Sequence, residues 1–271
     1  MRCVRFEEQG RARIGFIDGD VIRAVYGSID TYWRMTDEVF PLAGAKLLAP
    51  CVPKQIICVG FNYRDHAREF HVDVQWLRSK SFDTFCPFHV DVPKEPALFT
   101  KAAHTVIGND GKIIYPRQSH EVVYEAELGV VIKKRMKDVA PEDVPDYILG
   151  YTCANDVTAR DLQLSDVQWL RSKSFDTFCP LGPWLETDLD PTDLSIKLYL
   201  NGQLKQNGRT SDMVYNPYEI LSYISQSMTL DAGDLILTGT PMGCGPMLPG
   251  DEVVVEIEGI GKLRNEVVKG Y

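Results

Sequence analysis

The sequence predicts a β-rich α+β fold, with a small N-terminal β domain over residues 1–49 and one larger domain over residues 50–271. Two observations carry this. Short alternating or fully apolar runs, bounded by Gly, Pro, Asn and Asp, recur along the whole chain, whereas only three stretches look helical. Strands and helices also fail to alternate regularly, which argues against a doubly wound parallel sheet. A chain of 271 residues buries a full core, and domain sizes favour one large unit with a small one beside it.

Residues 2–7, 13–17 and 21–25 read as strands, the last two joined by the turn Asp18-Gly19-Asp20. A weakly periodic stretch then runs to Leu47-Leu48-Ala49-Pro50, where the domain boundary falls. Beyond Pro53 strands are expected at 55–59, 97–101, 112–115, 121–133, 147–155, 196–200, 234–238, 252–257 and 262–267. Helices are expected at 62–70, 158–163 and 217–226, the last with an apolar stripe of Ile220, Leu221, Tyr223 and Ile224.

Composition excludes several functional classes. With 44% hydrophobic residues and no run near the roughly eighteen apolar residues a membrane helix needs, no membrane span is expected. Met1-Arg2-Cys3-Val4-Arg5-Phe6 alternates like a strand and lacks the apolar run and cleavage site of a secretory signal, so the expected location is cytoplasmic. A net charge of −9 argues against nucleic acid as a partner, because phosphate affinity rests on clustered Lys and Arg. The seven cysteines are odd in number and scattered, with no C-x-x-C pair; they read as reduced, packed thiols rather than disulfides or a zinc cluster.

One feature lies outside ordinary patterning. The fifteen residues from Asp73 to Pro87 recur unchanged from Asp166 to Pro180, a single perfect copy rather than a solenoid period. Phe-His-Val-Asp-Val occupies both 70–74 and 88–92, so removing residues 75–92 joins Val74 to Pro93 and restores one continuous segment. Residues 75–92 therefore read as an insertion duplicating part of 166–180. A natural or engineered duplication and a cloning artefact account for it equally, and Lys80, the copy of Lys173, is not assigned a catalytic role.

Four stretches carry candidate chemistry. Glu125 and Glu127 in a strand point to one face, where two like charges are unfavourable unless they are solvated or bridged by a cation. Asp156 sits at a strand-to-helix corner as either a helix N-cap or a third oxygen ligand. Three carboxylates without Cys or His would suit Mg2+ or Mn2+. His66 and Glu69, at i and i+3 of a helix, have the spacing of a base held by a carboxylate, or of a surface His beside a helix acid. The Gly-rich turn after residue 237, with Thr238, Gly239, Thr240 and Gly243, either holds a carboxylate or only reverses the chain; it does not match the phosphate-binding P-loop spacing.

Taken in order, these motifs resemble the fumarylacetoacetate hydrolase superfamily, in its 2-hydroxyhepta-2,4-diene-1,7-dioate isomerase and acylpyruvase-like branch. The resemblance rests on Val59-Gly60-Phe61-Asn62-Tyr63-x-x-His66-x-x-Glu69, Tyr124-Glu125-Ala126-Glu127-Leu128, Asn155-Asp156-x-Thr158-x-Arg160-Asp161-x-Gln163, Lys173-x-Phe175-Asp176 and Thr238-Gly239-Thr240-Pro241-x-Gly243. It covers residue 50 to the C-terminus and implies a mixed β-sandwich or roll catalytic domain, usually dimeric. It also implies a divalent metal on Glu125, Glu127 and Asp156, a His66–Glu69 dyad on a lid, Lys173 as active-site lysine, and Arg160, Gln163 and Thr240 as substrate contacts.

The implied substrate is a small 2-oxo or 2,4-dioxo acid. Acylpyruvate-type C–C hydrolysis leads, ahead of oxaloacetate-type decarboxylation and 2-hydroxy-dienoate isomerisation. A catalytically impaired metal- or ligand-binding homologue is the reading from another class, because residues 75–92 fall in the segment expected to form the lid. A carbohydrate-binding β module finds no support in the Glu-x-Glu strand.

Overall fold

A computed structural model describes residues 1–28, 32–69 and 94–270. The segment at 75–92, with Lys80 and the flanking five-residue repeats, lies outside the described residues. Strands β1 (Arg2–Glu8), β2 (Arg11–Asp18), β3 (Val21–Gly27) and β4 (Trp33–Pro41) form an antiparallel meander, and β5 (Lys46–Leu48) pairs back on β1. Val4 and Phe6 of β1 with Ile22 and Ala24 of β3 fill a small core of its own. β4 occupies the stretch that read as weakly periodic. It is exposed along nearly its whole length, so it lacks the alternation that reveals a half-buried strand.

The rest of the chain supplies β6 (Ile56–Gly60), β7 (Ala97–Lys101), β8 (Val106–Ile107), β9 (Lys112–Tyr115), β10 (Val122–Tyr124), β11 (Ala126–Ile132) and β12 (Ile148–Asn155). These are followed by β13 (Thr158–Ala159), β14 (Cys179–Glu186), β15 (Ser195–Leu200), β16 (Gln203–Arg209), β17 (Leu235–Leu237), β18 (Gly245–Pro246), β19 (Glu252–Ile257) and β20 (Gly261–Lys269). The described α-helices are α1 (Arg64–Glu69), α2 (Arg160–Ser165), α3 (Leu170–Lys173) and α4 (Pro217–Ser227), and none is long and apolar enough to cross a membrane.

The fold is the strand-rich α+β type that the sequence predicts. A twelve-stranded mixed sheet runs β4-β3-β2-β1-β14-β12-β11-β17-β6-β7, with β5 on β1 and β8 on β14. The N-terminal meander is continuous with it through Arg2↔Glu186 and Cys3↔Leu185. A five-stranded sheet, β16-β15-β19-β20-β9, covers one face. Leu128, Val130 and Ile132 of β11 pack there with Ile196, Leu198, Val253 and Val255, while Val131 joins a second cluster with Ile56, Cys58, Leu235 and Leu237. Burial on both faces explains why β11 reads as an apolar run beyond Glu127.

The structure departs from the expected continuous strand at 121–133. The strand breaks at Glu125, whose backbone N–H donates to Asn155 Oδ1 at 2.9 Å instead of to a neighbouring strand. β10 then leaves for a three-stranded sheet with β13 and β18.

Helix α4 shows how local sequence sets a boundary. Asn216 Oδ1 accepts from the N–H groups of Tyr218 and Glu219, Glu219 Oε2 accepts from Asn216 N–H at 2.8 Å, and Pro217 takes the first helical position. Ile220, Leu221 and Ile224 are buried; Tyr223 instead donates its hydroxyl to Glu95 at the surface. Asn216→Ala is expected to lower the unfolding free energy by about 1 kcal/mol in urea denaturation, and an unchanged midpoint would show that the capping box adds nothing.

Candidate active site

The site is assembled where β11 and β12 end side by side. Ala126 pairs with Asn155 and Glu127 with Ala154, and Asp156 N–H donates to Glu125 backbone oxygen at 2.9 Å. This places the carboxylates of Glu125, Glu127 and Asp156 together, with one oxygen from each inside a 4.8 Å cluster, and all three residues are buried. Glu125 and Glu127 therefore do not form a wet strand face. Asp156 does not cap a helix: β13 separates it from α2, whose N-cap position is Ala159.

Buried cations surround this triad. Lys173 Nζ donates to Glu125 Oε2 at 2.8 Å and Asp156 Oδ2 at 2.6 Å. Lys101 Nζ donates to Asp156 Oδ1 at 2.6 Å and Val157 O at 3.1 Å. Arg160 donates to Glu125 Oε1 at 2.8 Å and also to Gln163 Oε1. Glu127 makes no ion pair among the described residues; its Oε2 accepts from Gly239 N–H at 2.7 Å.

The two glutamates consequently titrate in opposite directions. Burial raises the pKa of Glu125, but Lys173 and Arg160 outweigh it and draw the value down to about 2. Burial, reinforced by Asp156 and then Glu125, pushes Glu127 well above the usual carboxylate range. Burial lowers the pKa of Lys173, but Asp156 and Glu125 more than offset that and keep it charged.

The triad fits a hard divalent cation. Its donors are carboxylate oxygens without Cys or His, and the surroundings of Glu127 disfavour its charged form in a way that a cation sharing the carboxylate would relieve. Close by, Asn155 Nδ2 is buried without a hydrogen-bond partner among the described residues.

The sequence-derived candidates surround one cleft of about 310 Å³, open mouth included. His66, Glu125, Glu127, Arg160, Gln163, Lys173 and Thr240 line it. Asp156 lies behind this lining with no exposed surface. Glu69 sits behind His66: its Oε2 is 3.1 Å from His66 Nδ1, and its Oε1 accepts from Gly243 N–H at 2.8 Å. A carboxylate on Nδ1 selects the tautomer that carries its hydrogen there and places the basic lone pair on Nε2. His66 is buried, so it is not a surface histidine.

Asn62 anchors the start of α1. Its Oδ1 accepts from Tyr215 N–H at 2.9 Å, and its Nδ2 donates to Thr238 O at 2.8 Å. The Gly-rich turn needs its glycines: Gly239 and Gly243 have φ of +95° and +97°, and a Cβ on Gly243 would lie 2.4 Å from Lys205 O.

Sequence reasoning missed several contributors. Lys101 ends an ordinary-looking strand, and its available signal is that it shares a strand face with Phe99, over whose ring Lys173 Nζ sits at 4.8 Å. Phe61, Phe99 and Trp169 make the apolar wall, with Trp169 edge-on to Phe61 at 5.8 Å and to Phe99 at 5.2 Å. Gln206, on β16, hydrogen-bonds both the glutamate strand and the Gly-rich turn.

Comparisons with known proteins agree with this architecture. The fumarylacetoacetate (FAA) hydrolase C-terminal family matches residues 55–268, and an Rv2993c-like N-terminal family matches residues 1–50. The mitochondrial oxaloacetate tautomerase FAHD2B of Bos taurus is 40% identical over 98% of this chain and 79% of its own length. The crystal structure of 2-hydroxyhepta-2,4-diene-1,7-dioate isomerase from Mycobacterium marinum superposes with a TM-score of 0.86 at 38% identity, covering 99% of this chain and 98% of that one. Maleylpyruvate hydrolase from Sphingobium sp. SYK-6, solved with manganese(II) and pyruvate, superposes at 0.77 with 28% identity over the full length of both chains. With the family matched across most of its length and relatives near 40% identity spanning it almost completely, the chain belongs to the fumarylacetoacetate hydrolase family.

Proposed function

We propose that this protein is a divalent-metal-dependent enzyme that moves a proton on a small 2-oxo acid, interconverting its keto and enol forms or shifting a double bond conjugated to it. The observation that carries the reading is one cleft holding both a buried cation, Lys173, and a carboxylate-backed base, His66, beside an acidic triad. The tautomerase and isomerase relatives, near 40% identical over almost the whole chain, support it.

Glu125, Glu127 and Asp156 would hold the ion, Mg2+ or Mn2+, which when bound supplies a Lewis acid for the oxygens of a 2-oxo carboxylate. Lys173 Nζ sets a fixed positive charge in a cleft with aromatic walls, where negative charge develops on the 2-oxo oxygen as a proton leaves the adjacent carbon. His66 Nε2 takes that proton while Glu69 stabilises the imidazolium, and it returns the proton to oxygen or carbon. Arg160 and Thr240 offer donors to the substrate carboxylate.

Acylpyruvate-type hydrolysis is the second reading. The same His66 can deprotonate a water for attack on a second carbonyl, and the maleylpyruvate hydrolase likeness favours it.

Three outcomes are expected. With Mg2+, the protein accelerates loss of enol-oxaloacetate measured by NMR, and excess chelator abolishes this. Acetate plus pyruvate from acetylpyruvate would assign hydrolysis instead, pyruvate plus CO2 from oxaloacetate would assign decarboxylation, and silence on all with metal bound would leave a binding homologue. Glu125→Gln should weaken Mg2+ binding in calorimetry by at least about tenfold, since it removes one charged ligand and takes an anionic partner from both Lys173 and Arg160. Lys173→Met should lower kcat about a hundredfold or more while the metal still binds; unchanged kcat would remove Lys173 from the mechanism.

A further inference from the structure

Gln206 is fully buried, although the other residues of β16 are exposed apart from half-buried Gly208. Its Oε1 accepts from Ala126 N–H at 2.9 Å, at the position between Glu125 and Glu127. Its Nε2 donates to Thr240 Oγ1 at 2.8 Å and Pro241 O at 2.8 Å. The amide orientation follows from chemistry, because a backbone N–H only donates and a backbone carbonyl only accepts. Gln206 Nε2 therefore points an N–H at the Thr240 hydroxyl oxygen.

A hydroxyl that accepts on one side must place its own hydrogen elsewhere. The neighbouring acceptors that the structure gives it are weak beside an anionic oxygen: Pro241 O, 3.5 Å away and also accepting from Gln206, and the Cys244 sulfur. The other direction is the cleft that Thr240 lines. We propose that Gln206 is a positioning residue: it fixes the polarity of the Thr240 hydroxyl so that this group donates into the cleft and selects a ligand presenting an anionic oxygen. The same amide ties the Gly-rich turn to the glutamate strand, so the ligand's carboxylate is registered against the acidic triad. The proposal rests on the reading of the cleft as a 2-oxo acid site.

Pyruvate in the presence of Mg2+ is the probe, measured by calorimetry on the full chain. Gln206→Glu replaces the donor with an acceptor and turns the Thr240 hydrogen away from the cleft; Gln206→Met removes donor and acceptor at similar volume. Each is expected to weaken pyruvate about tenfold to a hundredfold, the range for a hydrogen bond to a charged group. In a Thr240→Val background that loss should disappear, whereas equal losses with and without the hydroxyl would overturn the role of Gln206. Thr240→Val alone should lose pyruvate affinity to the same degree and Thr240→Ser should restore it. Wild-type affinity in Thr240→Val overturns the proposal even where no Gln206 variant folds. Absence of pyruvate binding by the wild-type protein would remove the 2-oxo acid reading itself, whereas intact wild-type binding with an additive cycle removes Gln206 alone.

Discussion

Lys173, held between Glu125 and Asp156 at 2.8 and 2.6 Å, is the contact around which the site is organised. Taking an ammonium and two carboxylates out of water costs several kcal/mol per ion, and only close pairing with satisfied hydrogen bonds offsets it. Lys101 on Asp156 and Arg160 on Glu125 complete that compensation from two further elements, β7 and α2. The break in the strand at Glu125 belongs to the same arrangement. By giving its N–H to Asn155, Glu125 leaves the regular ladder, and its carboxylate reaches cations from α2 and α3.

This arrangement makes the two glutamates unlike each other, although they stand two residues apart. Glu125 has two cationic partners at hydrogen-bond distance and is a settled anion; Glu127 has a single backbone N–H and no ion pair among the described residues, and Lys173 acts on it only at longer range. Pairs of acids whose surroundings drive their pKa values apart are a mark of functional sites, because one group is fixed while the other responds to what binds. Burial and two neighbouring carboxylates act against the Glu127 charge, Lys173 and the Gly239 N–H offset them only in part, and a bound cation would relieve the rest.

The turn following β17 joins the chemistry of separate elements. Gly239 N–H reaches the triad, Thr240 faces the cleft and Gly243 N–H reaches Glu69. Backbone donors can serve all these points only because the turn lies close against β16 and takes left-handed φ values at Gly239 and Gly243, which side chains would obstruct. The glutamate strand, the His66–Glu69 pair and the Thr240 hydroxyl are thus braced by one loop, whose seat is the buried amide of Gln206.

Legibility in the sequence followed burial pattern and motif density. β7, β9 and β19 match their expected bounds, and α4 lies within a residue of them, because apolar spacing and a capping box mark their ends. β4 was not legible, since exposure on both faces leaves no periodicity. Neither was Lys101, whose role arises from a partner fifty-five residues away, nor the break at Glu125, which depends on the Asn155 side chain. By itself, the sequence determined the β-rich class, the carboxylate, imidazole and lysine chemistry, and the family, because those depend on residue types and local order. Only the tertiary structure decided which charges neutralise which, that Glu125 and not Glu127 forms ion pairs among the described residues, and which way the Thr240 hydroxyl is held. Those properties depend on distances between groups far apart in the chain and on the low dielectric that burial creates around them.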